Sequence, residues 1–238
     1  MPKTLIVAHR GAKSASEFEN TIDSFQKAVD LGADMIEFDL RKTADDNIVV
    51  FHNETIGGYK IKNLPYHRVN EITSRRGFRV PLFKEVLDEF GGKIKFDIEL
   101  KEEGYEEEVI EMVDGAFDLR DCILTSFHHT SLIRIKALKD ELKTGLLLGL
   151  KKPEKMIRSL IQKSSIAGAN ADGDFDFILP HWSLLNTRVM KNAREAGVPI
   201  MTWTVNRPSK LKEILGGDVA GVITDDTELA LQLRASLR

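Results

Sequence analysis

Cysteine is nearly missing: Cys122 is the only one in 238 residues. A lone thiol excludes an internal disulfide and any zinc site built from several thiolates, and it fits a reducing compartment. Long apolar runs are missing too. None approaches the ~20 residues that a spanning helix needs, and the apolar stretch before His9 (Leu5, Ile6, Val7, Ala8) falls short of a signal-peptide core. Neither sign of charge dominates. With 34 Lys plus Arg against 37 Asp plus Glu, the net charge is −3, which offers no electrostatic footprint for a general nucleic-acid binder. The 42% hydrophobic content argues against a disordered chain. The expectation is a soluble, cytoplasmic protein with no nucleic-acid partner and no stable membrane insertion. Its oligomeric state is not legible.

What is present is a regular alternation. β-Branched runs at Leu5–Ala8, Met35–Leu40, Ile94–Leu100, Cys122–Phe127, Thr144–Gly149, Phe175–Pro180, Ile200–Val205 and Gly221–Thr224 predict strands. Helical patterns lie near Asn20–Leu31, Pro81–Phe90, Tyr105–Phe117, Thr130–Leu142, Pro153–Ser164, Leu184–Ala196, Pro208–Leu215 and Asp226–Leu237. Pro81, Pro153 and Pro208 fall at first helical positions, while Gly32, Gly91, Gly197 and Gly216 follow last ones. Eight β/α units without repeats or linkers predict an α/β fold, a (β/α)8 TIM barrel occupying residues 1–238 as one domain. An open doubly wound sheet is the structural alternative.

One segment breaks the alternation. Ile48–Phe51 reads as a strand, yet only Thr43–Asn47 separates it from the second one. A parallel crossover needs a dozen or more residues, so this is an antiparallel hairpin on strand two. A turn centred between Asp45 and Asp46 would set Asp39 opposite His52. Residues 53–80 show no clear strand or helix and read as a small inserted lobe on the same rim.

In such a barrel the strand C-termini share one rim, where reactive groups gather. Those ends supply His9 and Arg10, Glu37 and Asp39, Glu99 and Lys101, Ser126 and Trp203. Residues two apart on a strand share a face, so Glu37 pairs with Asp39, and Asp97 with Glu99 and Lys101. The intervening Ile36, Phe38 and Leu40 are apolar, as a helix-facing side requires, which turns the carboxylates inward. Three carboxylates ~4 Å apart repel by about 4 kcal/mol per pair at an effective dielectric of 20, on the order of 12 kcal/mol in all. That rivals the roughly 5–15 kcal/mol net stability of a domain. Either protons stay on them or a cation sits among them. Oxygen ligands without thiolate favour a hard ion, Mg²⁺ or Ca²⁺. With a divalent ion, Arg10 and Lys101, the site would be left with one positive charge, which suits a phosphodiester monoanion. His9 and His52 beside it could form an acid–base pair.

His9-Arg10-Gly11, Glu19-Asn20-Thr21, Glu37-Phe38-Asp39, Val50-Phe51-His52, Glu99-Leu100-Lys101 and Trp203-Thr204-Val205-Asn206, in that order from Val7 to Asp225, resemble the glycerophosphodiester phosphodiesterase family. The resemblance implies a metal-dependent barrel of lipid and glycerol metabolism that hydrolyses glycerophosphodiesters to glycerol 3-phosphate and an alcohol. It implies Glu37, Asp39 and Glu99 as metal ligands, and His9 as base with His52 as acid, although spacing alone permits the reverse. It implies Arg10 and Lys101 on the phosphate, with Asn20 and Trp203 lining the site. Three features depart from the pattern: Phe18 stands where Pro is usual, Asn53 where Asp usually follows the histidine, and an Arg-Thr-Thr stretch is absent around Gly57–Lys60. All three bear on which alcohol is accepted.

Duller readings compete. Asn20 could N-cap the first helix with Asp23 at N3, and Thr21 reads as structural. Glu99 and Lys101 could be an internal ion pair, and Trp203 could be packing. His128, His129 and His181 are candidate rim contacts, His67 reads as surface, and Cys122 as a buried filler. Glu102, Glu103 and Glu106–Glu108 read as a solvated loop and helix start. Rival functions are a phosphoinositide phospholipase-like reaction, which would need an apolar or basic docking rim not evident in the sequence, a metal-dependent aldolase or lyase, and a non-catalytic binding barrel.

Overall fold

The computed structural model describes residues 3–150, 175–195 and 197–237. The helix expected at Pro153–Ser164 lies outside them. In chain order the strands are β1 (Leu5–His9), β2 (Met35–Lys42), β3 (Ile48–Val50), β4 (Thr55–Ile56), β5 (Tyr59–Lys60), β6 (Lys95–Leu100), β7 (Cys122–Ser126), β8 (Lys143–Leu148), β9 (Phe177–Pro180), β10 (Met201–Thr202) and β11 (Gly221–Thr224). Eight of them are parallel neighbours in the order β10-β11-β1-β2-β6-β7-β8-β9. Single bridges, Ile178 to Ile200 and His181 to Trp203, join β9 to β10 and close the ring. This is the eight-stranded barrel expected of the alternation, with β3 as the antiparallel extra strand on β2.

Two apolar layers follow from the period-two pattern. Ile36, Phe38 and Leu40 point outward into the helix layer, where the Phe38 ring packs against Phe25, Phe83 and Phe96 at centroid distances of 5.5, 6.0 and 5.6 Å. Inside the barrel, Val7, Met35, Ile123, Leu147, Leu179, Met201 and Ile223 fill the floor. Polar groups stand above that floor, because the next inward positions are His9, Glu37, Asp97 and Thr125.

Several local expectations need correction. In the hairpin, Leu40 pairs with Val50, and the Phe51 amide donates to the Asp39 carbonyl at 2.9 Å, so Asp39 faces Phe51 rather than His52. The loop closes through Thr43 and Asn47, with Asp46 left-handed at φ 61°. An odd three-residue loop of this kind centres on Asp45 and shifts the register by one. Residues 53–80 are not featureless. They hold the β4–β5 hairpin, turned at Gly57 and Gly58 (φ 57° and 86°), and α2 (Tyr66–Ser74), the helix that comes after α1 (Ile22–Leu31). Ile56, Ile61, Val69 and Val80 pack with Val49 as a separate small core.

Helix Phe83–Phe90 begins two residues after Pro81, whose carbonyl accepts from the Val50 amide; Pro208 does open its helix. Asn20 is not the cap of α1. Thr21 and Ser24 cap it reciprocally, which frees Asn20 for the barrel. Glu106 is buried, bonded to the Ser131 hydroxyl at 2.6 Å, rather than solvated. Cys122 is buried among apolar side chains. Among the described residues no helix is long and apolar enough to cross a membrane.

Phe38 joins β2 to the helix layer through three rings. Phe38→Ala should cost about 3–5 kcal/mol, read from denaturant unfolding. A loss under about 1 kcal/mol would mean that this layer does not hold β2 in place.

Candidate active site and metal centre

The site is assembled by register. Where β1 meets β2, His9 lies opposite Glu37, and where β2 meets β6, Glu37 lies opposite Asp97 and Asp39 opposite Glu99. All four carboxyl groups are buried. One oxygen from each of Glu37, Asp39 and Glu99 lies within 4.8 Å of the others.

Arg10 closes one side. Its left-handed backbone, φ 56°, is strained for a side-chain-bearing residue. That geometry aims its N–H at Glu37 Oε2 (3.0 Å) and brings its guanidinium back to Asp39 (3.2 Å) and Glu19 (2.7 Å). The following Gly11 has φ 85°, and a Cβ there would sit 2.5 Å from Ser24 Oγ. Lys101 closes the other side, its Nζ 2.7 Å from both Asp39 Oδ1 and Glu99 Oε1. Asn20, buried and left-handed at φ 55°, donates from Nδ2 to Asp39 Oδ2 at 2.8 Å.

Asp39 is the carboxylate held ionised. Burial alone would raise its pKa, but Lys101, Arg10 and His52 hold it well below the usual carboxylate range. The others behave oppositely. Burial, with Asp39 and Asp97 nearby, raises Glu37 well above its ordinary value. Burial pushes Glu99 up to about 7 despite Lys101, and Asp97 likewise to about 7. Asp39 Oδ1 and Glu99 Oε1 are buried against Lys101 alone, and Asp97 Oδ2 is buried with no hydrogen-bond partner. Three convergent carboxylate oxygens, with no thiolate among them, form a donor set suited to a hard divalent cation.

The histidines stand at the edge of the same cavity, about 270 Å³, which is also lined by Arg10, Lys101, Phe127 and Trp203. His9 Nδ1 lies 2.6 Å from Asp225 Oδ1, so Nδ1 donates to the carboxylate and Nε2, 3.9 Å from Glu37 Oε2, is left toward the cavity. Asn206 Nδ2 donates to the other Asp225 oxygen at 2.6 Å. Burial pushes the Asp225 carboxyl up, yet His9, Lys13 and Asn206 hold it below its ordinary value. His52 follows β3. Its carbonyl accepts from Arg41 Nε (2.9 Å) and Nη2 (2.7 Å), and Arg41 also pairs with Glu102. Burial lowers the His52 pKa, with Asp39 pulling the other way.

Of the residues singled out in the sequence, His9, Arg10, Glu37, His52, Glu99, Lys101 and Trp203 meet at one cavity. Asp39 is buried beneath, and Asn20 stands behind it. The Trp203 indole N–H is spent on the Leu179 carbonyl at 2.7 Å, and its ring packs edge-on against Phe127. His128, His129 and His181 do not line this cavity; His181 packs on Trp203 at 5.4 Å. Sequence reasoning missed Asp225 and Arg41, and it gave Asn206, quoted in the motif that starts at Trp203, no role of its own. Asp225 immediately follows β11, so the strand-end rule that found the others also points to it.

The family model of the "Glycerophosphoryl diester phosphodiesterase family" matches residues 9–229. The chain belongs to that family. A glycerophosphodiester phosphodiesterase from Caldanaerobacter subterraneus subsp. tengcongensis is 30% identical over 97% of this chain and 98% of its own. The solved glycerophosphodiester phosphodiesterase from Thermotoga maritima superposes with a TM-score of 0.80 at 25% identity, covering 98% of this chain and all (100%) of that one. An Oleispira antarctica phosphodiesterase, solved in complex with its product sn-glycerol-3-phosphate, shares the fold at a TM-score of 0.80 and 20% identity, over 97% of this chain and 96% of its own. The family's enzyme class, phosphodiesterase, comes with the membership.

Burial raises the Glu37 pKa and pushes that of Glu99 up to about 7, so an ion would compete with protons here and its affinity should rise with pH through about 7. Titration of Mg²⁺ or Mn²⁺ by calorimetry in two buffers of different ionisation enthalpy should show proton release. Uptake independent of buffer and pH would contradict competition between the ion and protons.

Proposed function

We propose that the chain hydrolyses glycerophosphodiesters to glycerol 3-phosphate and an alcohol, with a divalent ion, Mg²⁺ or Ca²⁺, held by Glu37, Asp39 and Glu99. The observation that carries this is the convergence of three inward carboxylates beside one cavity that two histidines, His9 of β1 and His52 after β3, also line. When bound, the ion would act as a Lewis acid toward a phosphoryl oxygen.

The protein's own groups do the rest. Arg10 and Lys101 supply fixed positive charge where the phosphate is anionic, and their effect grows as charge builds in the transition state. His9, its Nδ1 proton directed at Asp225, presents Nε2 to take the proton from the attacking oxygen. That oxygen is a water, or the substrate's glycerol 2-hydroxyl, in which case the cyclic phosphate formed is then opened by water to glycerol 3-phosphate. Protonated His52 gives its proton to the departing alkoxide, which leaves as the alcohol. Opposite tasks suit these environments: Asp225 stabilises a charged His9, whereas burial lowers the His52 pKa and favours proton release. The floor of Val7, Met35, Ile123, Leu147 and Ile223 closes the barrel beneath the acids to water. The small molecule is the only partner this chemistry requires.

His9→Ala and His52→Ala should each lower turnover about 10²–10⁴-fold, measured as glycerol 3-phosphate release. Strong chelator should abolish activity, and Mg²⁺ or Ca²⁺ should restore it. Near-full turnover by both variants, or activity indifferent to chelation, would end this reading. Asp225→Asn should shift the pH dependence of kcat/KM through loss of the His9 partner. An unchanged profile would remove Asp225 from the mechanism.

A further inference from the structure

A second groove of about 160 Å³ adjoins the central cavity and shares His52 with it. Phe18, Phe51, Phe78, Asn53, Arg76 and Glu19 form its walls. If His52 protonates the departing oxygen, the alcohol sits on this side, so the role of the groove rests on the proposed hydrolysis.

The groove's charge is one-sided. Glu19 is already committed to Arg10 Nη1 and Lys13 Nζ, both at 2.7 Å. Asn53 is neutral, its Oδ1 2.9 Å from His52 Nδ1. Arg68 and Arg75 share Glu71, and Arg79 holds Glu85, whereas among the described residues no carboxylate pairs with the Arg76 guanidinium. Arg76 stands in the turn after α2, where its amide donates to the Thr73 carbonyl at 2.8 Å. The lobe as a whole repeats the bias: residues 53–80 hold six Lys and Arg against two Glu, in a chain that is net acidic. Phe18 and Phe78 stack on each other at 4.7 Å and 26°, so their faces are turned to one another rather than into a cage for a cation. A quaternary ammonium entering here would meet a guanidinium and no free carboxylate.

We infer that this groove is the leaving-group subsite and that Arg76 makes it select alcohols carrying an anionic group over those carrying a quaternary ammonium. Phe18 and Asn53, two of the departures from the family pattern, both lie in it. Asn53 removes a negative charge that would oppose such an alcohol, and the stacked rings form an apolar wall against which its carbon skeleton rests.

The test compares kcat/KM of the full chain, with divalent ion, for glycerophosphoinositol 4-phosphate, glycerophosphoglycerol and glycerophosphocholine. The native protein should rank them anionic, neutral, cationic. Arg76→Ala should lower kcat/KM about tenfold for the anionic substrate, mainly through KM, and far less for the neutral one; Arg76→Lys should keep part of the preference, and Arg76→Glu should reverse it. Arg76 is exposed, so these variants should fold, checked by their unfolding midpoints. A ranking that ignores charge, or an equal loss on all three substrates in Arg76→Ala, overturns the subsite while leaving the hydrolase reading intact. Failure of the native protein to turn over any of the three overturns the hydrolase reading, and the subsite with it.

Discussion

Carboxylates that cannot leave one another are the constraint on which the site depends. Glu37, Asp39, Asp97 and Glu99 are fixed by parallel register inside a barrel, above an apolar floor, with two cations, Arg10 and Lys101, to answer four acids. Unanswered, mutual repulsion in such a place would rival the net stability of the fold. Two protons or one divalent ion would balance it. Lys101 and Arg10 hold Asp39 ionised, while burial raises the pKa values of its three neighbours. Binding an ion here would exchange protons for a metal.

The rest of the rim serves that centre by holding groups in awkward but useful positions. Arg10 and Asn20 both take left-handed backbone to aim at Glu37 and Asp39. Thr21 and Ser24 cap α1 between themselves, which releases Asn20 from the task its type most often performs. On the far side, Arg41 grips the His52 carbonyl with two N–H groups, so a histidine placed after a short edge strand is still held. Strain and extra hydrogen bonds gather here because the chemistry requires fixed positions.

Much of this was legible in the sequence, for a physical reason. A strand's period of two assigns Glu37 and Asp39 to one face and Ile36, Phe38 and Leu40 to the other, and alternation of strand with helix admits few topologies. What was not legible depends on choices between near-equal local options. Asn20 and Thr21 are both good caps, and only the reciprocal bond from Ser24 decides between them. The hairpin turn could centre on or between residues, and left-handed Asp46 settles it one register away from the expected one. Helix α2 follows Pro65 without a side-chain cap and shows a short apolar face, so its pattern is weak until Val69 meets Ile56, Ile61 and Val80. Asp225 stands alone after β11, without a same-face acid two residues earlier, and only its bond to His9 across the barrel mouth reveals its task.

The most direct test of the central claim is an anomalous difference map from crystals soaked in Mn²⁺. One peak should lie among Glu37, Asp39 and Glu99, within coordinating distance of an oxygen from each. Crystals that admit Mn²⁺ elsewhere but show none there, with Lys101 still bridging Asp39 and Glu99, would contradict it.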